Sequence, residues 1–271
     1  RWLVSDENSL TARVQVNRLW ARLFGRGIVP TEGDFGSQGA SPTHPELLDF
    51  LAAELMDHGW SLKHIHRLIL TSRVFRQDSK RIEQAATLDA SARLLWRYPP
   101  RRIEAEMLRD SMLATSGQLD FTMGGPGFDL FEPMLNYVKV YVTKQEFQSG
   151  DYRRMVYQSK PRAMLDDFFG AFDCPDAGQP QPKRNASITP LQSLNLLNGS
   201  FSLQQAAALS ERLRREAGAD PSRQAARAFE LLFQRVASTE ELADASRLIT
   251  AQGLPAFCRA MYNANEFVRI E

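Results

Sequence analysis

Apolar residues recur at three- and four-residue steps through most of the chain, and the stripes they form are bounded by residues that start and stop helices. From Thr11 onward, Val16, Leu19, Trp20, Leu23 and Phe24 fall on one helical face, and Gly25-Arg26-Gly27 ends the run. Residues 31–43 hold three glycines with Asp34, Gln38 and Pro42 and few apolar side chains, which is the chemistry of a loop. Thr43 reads as an N-cap with Pro45 just inside the helix, and Leu47, Leu48, Leu51, Leu55 and Met56 then make a stripe up to His58-Gly59. Ser61 caps a following helix that buries Leu62, Ile65, Leu68 and Ile69, so two short helices joined at Gly59-Trp60 form a helical hairpin. After a polar stretch at residues 77–89 that is expected to be mobile, Pro99-Pro100 sets up a helix through Ile103, Met107, Leu108 and Met112 that stops at Gly117.

The middle of the chain has a different pattern. Residues 121–133 are rich in glycine and aromatics, and Tyr137, Val138, Lys139, Val140, Tyr141 and Val142 alternate in the β manner, with Met155, Val156 and Tyr157 as the expected strand partner. Residues 175–182 form a loop. Helical stripes return at residues 191–197 and 203–213, and Asp220-Pro221 opens a further helix carrying Ala225, Phe229, Leu232, Phe233 and Val236. Ser238 and Glu241 fit a capping box, and the last helical pattern runs through Phe257, Met261 and Phe267. These elements predict a mainly α, multi-helix domain with a small β insertion in the middle of the chain, near 137–158 within a β-containing stretch at 121–182. One cooperative unit over residues 1–271 is expected.

Composition narrows the chemistry. The 271 residues are ample for a core, and 33 basic against 32 acidic residues leave a formal charge of +1, so the total predicts no nucleic-acid partner. Cys174 and Cys258 lie far apart and form no CxxC pair, so no thiol redox motif, zinc knuckle or CxxCH haem attachment is encoded and no cofactor is expected in this chain. No apolar run approaches the roughly 18–20 residues of a membrane span. The chain opens at Arg1 without a signal-peptide pattern, which suggests an excised internal segment whose targeting information lay upstream.

Four constellations could carry chemistry. Asp34 and Gln38 precede His44 at a helix start, where free N–H groups suit an anion and a carboxylate could orient the imidazole as a base; the alternative, which we favour, is that they satisfy the turns of a packed loop. Arg102, Glu106 and Asp110 follow at i, i+4 spacing with Arg109 adjacent, which makes either half of an acid/base pair or, preferably, a salt-bridged face. His66 could join His44 and a carboxylate on a metal, but no HExxH spacing exists and no metal site is expected. Tyr152, Arg153, Arg154, Tyr157, Lys160, Arg162, Lys183 and Arg184 could grip a carboxylate, sulfate or sugar ring, or pair with Asp166, Asp167 and Asp173; pairing is slightly favoured. Asp34, His44, Glu106 and Asp173 are therefore the candidate catalytic residues, and Gln38, Arg102, Arg109, Arg153, Arg154 and Arg184 the candidate ligand-binding ones.

Several motifs resemble one family in order and spacing. TARVQVNRLW at 11–20, FGRGIV at 24–29, DFGSQG at 34–39 and THPELLD at 43–49 are similar to the planctomycete-specific domain one family, domain of unknown function 1553. WSLK at 60–63, HRLI at 66–69, RRIEAE at 101–106, GGP at 124–126, TPLQ at 189–192 and NANEF at 263–267 continue the pattern over nearly the whole chain. Ser187-Ile188-Thr189 departs from the usual Ser-Thr-Thr, and His58 and His64 are not motif positions, which makes them weak candidates for a shared role.

The resemblance implies a C-terminal module of a large exported protein, periplasmic or at the cell surface. It also implies a cytochrome c segment upstream, so that any haem c would sit there, and upstream domains of the same polypeptide as the first partners. It carries over no catalytic residue. An interaction or scaffold module, or a substrate-binding one, is the expected function; the alternative is part of an extracytoplasmic enzyme acting on carbohydrate, oxidatively or hydrolytically.

Overall fold

The computed structural model describes residues 1–5, 7–132, 141–162, 164, 166–175, 177–181 and 183–270. These gather into two compact units, residues 1–101 and 102–270, and the fold is mainly α with a small β element, as the stripes predict. Among the described residues no helix is long and apolar enough to cross a membrane.

In the first unit α1 (Thr11–Phe24) packs on α2 (Pro45–Asp57), and α2 on α3 (Leu62–Leu70). Val16, Leu51, Leu55 and Ile65 lie at the centre of the buried apolar face, as their spacing requires. Gly25 ends α1 in the left-handed conformation at φ 75°, open to glycine at little cost. The turn beyond it is held by the buried Asn17, whose side chain accepts from Val29 N–H (2.8 Å) and donates to Val29 C=O (3.1 Å). A Cβ on Gly27 would meet Asn17 Nδ2 at 2.6 Å, so glycine is required at that close approach. Replacing Asn17 with leucine strands both Val29 backbone groups; a loss of about 2–3 kcal/mol is expected by urea denaturation, and a loss below about 1 kcal/mol would refute the role. Trp20, Phe24, Phe75 and Tyr98 form an aromatic cluster, and the Tyr98 hydroxyl donates to Leu23 C=O (2.7 Å). The polar stretch at 77–89 contains the short helix α4 (Glu83–Leu88).

The second unit starts within β1 (Arg101–Arg102), whose pairing partner is β2 (Arg269–Ile270). A strand therefore stands where Pro99-Pro100 suggested a helix start, because Ile103 N–H goes to Val268 C=O (3.0 Å) and α5 (Ala105–Ser116) begins only after Glu104. Then follow α6 (Asp167–Ala171), α7 (Pro190–Asn198), α8 (Ser200–Ala217), α9 (Pro221–Phe233), α10 (Thr239–Gln252), α11 (Leu254–Tyr262) and α12 (Asn265–Val268). The long α8 contacts α5, α7, α9 and α11, and Leu108, Met112, Leu209, Leu213, Cys258 and Tyr262 fill the space between them. Ser238 and Glu241 form the expected capping box on α10, and Thr189 with Gln192 forms another on α7.

The expected strand pair needs correction. Residues 133–140, most of its first strand, lie outside the described residues. Met155–Tyr157 is a 3-10 turn rather than a strand, because Tyr157 N–H and Gln158 N–H bond locally to Arg154 C=O and Met155 C=O. Burying Met155 while leaving Val156 exposed satisfies a turn as well as a strand. The described β contacts of this region are isolated bridges, Asp120 to Arg153, Phe128 to Gln158 and Phe131 to Thr143.

Candidate functional site

The loop preceding α2 uses its polar groups on itself. Asp34 Oδ1 accepts from Gly36 N–H (2.8 Å), and the Thr31 hydroxyl donates to Asp34 C=O (2.7 Å) and accepts from Ala40 N–H (3.0 Å). Gln38 is exposed, and His44 Nδ1 lies 2.9 Å from Thr43 Oγ1. No described contact joins Asp34 to His44; Asp34 satisfies its own turn, while His44 makes no capping hydrogen bond to α2.

In the second unit two carboxylates draw in partners from distant segments. Arg102 Nη2 donates to Asp173 Oδ2 (2.7 Å), which also accepts from Ser187 N–H (2.8 Å), while the Ser187 hydroxyl donates to Asp173 Oδ1 (2.9 Å). Burial would raise the Asp173 carboxyl, but the Ser187 N–H and Arg102 outweigh it and hold it below the ordinary range. The second carboxylate is Glu106, the partner that sequence spacing did not assign to Arg184. Arg184 donates to Glu106 Oε2 (2.6 Å) and Glu104 Oε2 (3.1 Å), and Lys160 Nζ to Glu106 Oε1 (3.1 Å) and Cys174 Sγ (3.0 Å).

Burial opposes the charge on Glu106, yet Arg184 and Lys160 pull it down from 4.5 to about 2. Lys160 is held above its ordinary value despite burial, and burial pushes the Cys174 thiol up. Near neutral pH the trio is thus carboxylate, ammonium and thiol, an arrangement that favours ion pairing over proton exchange. Because the folded Glu106 value lies below the unfolded one, its contribution is complete above about pH 4.5 and lost as the pH falls through about 2. Glu106→Gln is expected to cost roughly 2–3 kcal/mol at pH 7 and little near pH 2. Denaturation midpoints at both pH values check this, and an equal loss at both would refute it.

Arg153 serves backbone carbonyls and a ring and Arg154 stands beside an aspartate of α5, while Asp173, an expected partner of this cluster, takes Arg102 instead. Arg153 donates to the carbonyls of Thr122 (3.0 Å), Gly124 and Pro126 and lies 3.9 Å over the Tyr157 ring, clamping the GGP loop. Arg154 lies 3.9 Å from Asp110, whose carboxyl is raised by burial although Met155 N–H donates to it (2.9 Å). Arg109 is 2% exposed. It sits between the Phe128 and Phe201 rings and donates to the carbonyls of Asp151 and Arg153. Burial brings it down to about 10, against the fields of Asp110, Asp166 and Asp151, so it stays a cation at neutral pH.

Arg109 is also the one sequence candidate that lines the large cleft of the second unit, a space of about 690 Å³. Leu191, Leu194, Asn195 and Asn198 form its α7 wall at i, i+3, i+4, i+7 spacing. Leu191 and Leu194 are 60% and 53% exposed, whereas Gln192 and Leu196 face the core. Phe147, Phe168 and Phe201 supply aromatic surface. Asp166, which also lines the cleft, caps α6 by accepting from the N–H groups of Phe168 (2.9 Å) and Phe169 (3.1 Å). Sequence reasoning missed this wall because a leucine stripe on a short helix reads as core; the available signal was that Leu191 and Leu194 fall on a different face of α7 from Leu196. His66 and His44 share no described contact, and among the described residues the group with metal-ligand spacing is a different one in the first unit.

No curated protein and no solved structure matches the chain. A family model does, over residues 1–249, and it takes in the Asn17 and Gly27 turn, the RRIEAE carboxylates and the α7 wall described above. On that match the chain belongs to the PSD1 family, proteins of unknown function described as DUF1553.

Proposed function

We propose that the chain is a ligand-binding and interaction module of a larger exported protein, and that the cleft of the second unit is its binding face. The observation that carries this reading is the pair of exposed leucines on α7, facing a cleft of about 690 Å³ with the Arg109 cation among its lining residues. A volume of roughly 300–1,000 Å³ with mainly apolar walls and a few fixed polar groups suits a small ligand or a short chain segment. Carbohydrate is the ligand class we favour. Leu191, Leu194 and the half-buried Phe147 offer apolar surface to one side of a sugar, and Asn195 and Asn198 offer hydrogen bonds to hydroxyl or sulfate groups. Export, a cell-surface or periplasmic place and a haem c segment upstream rest on the family resemblance, and the upstream domains are the first partners to consider.

Titration calorimetry with neutral and sulfated oligosaccharides tests the reading. Saturable binding is expected, weakened at least about tenfold when Leu194→Trp fills the cleft. Absence of binding to either class by a folded chain would overturn the carbohydrate reading. The alternative, an enzyme acting on carbohydrate, draws on Glu106 and Asp110, one turn apart on α5 and shifted in opposite directions, as acid/base pairs are. Neither lines the cleft, so binding is the reading better supported. Turnover abolished by Asp110→Asn with binding intact would reverse that preference.

A further inference from the structure

Two histidines come together in the first unit with a carboxylate. Glu54 and His58 stand at i, i+4 on the last turn of α2 and its end, and His64 stands on the first turn of α3. Gly59 and Trp60, with φ of 61° and 60°, reverse the chain between them, and Ser61 caps α3 by accepting from His64 N–H. The His58 and His64 rings consequently stack, with centroids 3.8 Å apart and planes 10° from parallel. Glu54 Oε2 lies 2.7 Å from His64 Nε2 and 3.4 Å from His58 Nδ1, and one ligand atom from each residue falls within 4.8 Å of the other two.

We propose that Glu54, His58 and His64 form a binding site for a borderline divalent transition-metal ion such as zinc. Two imidazole nitrogens and one carboxylate oxygen are the ligand types that such ions take at about 2.0–2.2 Å, and nitrogen donors select against magnesium and calcium. Tetrahedral ligands at that radius stand about 3.3–3.5 Å apart, so small side-chain rotations from the observed positions close the set. The side chains have room for this, being 27%, 48% and 32% exposed for Glu54, His58 and His64. His58 Nδ1 also lies 3.0 Å from Glu54 C=O, at the negative end of α2, where the helix dipole favours a cation. Binding exchanges that hydrogen bond for a metal bond. Three protein ligands on a partly exposed turn leave the remaining positions to water, and the ion would staple α2 to α3. The site is independent of the carbohydrate reading.

The test is calorimetry of the tag-free, EDTA-treated chain with zinc, cobalt(II) and magnesium chlorides. One zinc per chain is expected, with visible d–d absorption for cobalt and no magnesium binding. Zinc affinity should fall at least tenfold in H58A and in H64A, while H66A behaves as wild type. Circular dichroism establishes that each variant is folded. Zinc-dependent shifts of the His58 and His64 imidazole resonances in the wild-type chain provide a readout that needs no variant. Zinc binding that persists in H58A/H64A, or no binding below millimolar zinc, overturns the proposal.

Discussion

Replacing Arg109 with methionine is expected to lower the stability of the second unit by roughly 3–5 kcal/mol, a large fraction of the 5–15 kcal/mol typical of a folded domain. The guanidinium is enclosed between the Phe128 and Phe201 rings, and its N–H groups are the described partners of Asp151 C=O and Arg153 C=O. Methionine fills much of the volume but removes both donors and the cation that faces Asp110, Asp151 and Asp166. A buried and a half-buried carbonyl then lose a donor, and three carboxylates lose a compensating charge. Arg109→Lys restores the charge but not the planar fork, so it should recover only part of the loss. Urea denaturation of the three proteins decides the matter: a methionine variant within about 1 kcal/mol of wild type would mean that the cation is carried at no benefit to the fold.

The second large effect lies at the junction of α5 and α11. Tyr262 is fully buried, its ring packs 5.1 Å from Phe267, and its hydroxyl donates to Met112 C=O (3.2 Å) and lies 3.1 Å from Thr115 Oγ1. Burial pushes the phenol far above its ordinary range, so it does not ionise in the folded chain at any ordinary pH. Tyr262→Ala leaves a ring-sized cavity between α5, α8 and α11 and should cost about 3–5 kcal/mol. Tyr262→Phe keeps the ring and loses only the hydroxyl, at about 1 kcal/mol. Thermal or urea unfolding of the pair separates packing from hydrogen bonding. Equal losses for the two variants would show that the hydroxyl, not the ring, holds the junction.

Arg109 and Tyr262 also mark how far each level of description reaches. Arg109 is conspicuous in the sequence as a charge beside Asp110, where the spacing favours a salt-bridged face, but its neighbours are aromatic rings and carbonyls. The RRIEAE run was legible as a charged stretch, and its ion pairing was the favoured reading. The partners were not legible, because Arg184 lies 80 residues from Glu104 and 78 from Glu106. The 137–142 alternation fell mostly on residues outside the described set, and the alternation at 155–157 was too short to separate a strand from a 3-10 turn. The two-residue strands β1 and β2 carry no periodicity at all, since their pairing comes from opposite ends of the unit.

By itself the sequence determined most of the helical stripes, the α2–α3 hairpin, the Ser238–Glu241 capping box and the membership that its spaced motifs announce. These depend on local geometry, which repeats every 3.6 residues and is written in neighbouring side chains. Only the tertiary structure decided that α7 turns two leucines toward a cleft, that Arg184 reaches back to Glu106, and that His58 and His64 stack over one carboxylate. Such meetings depend on how whole elements pack, and no periodicity along the chain records which faces come to oppose one another.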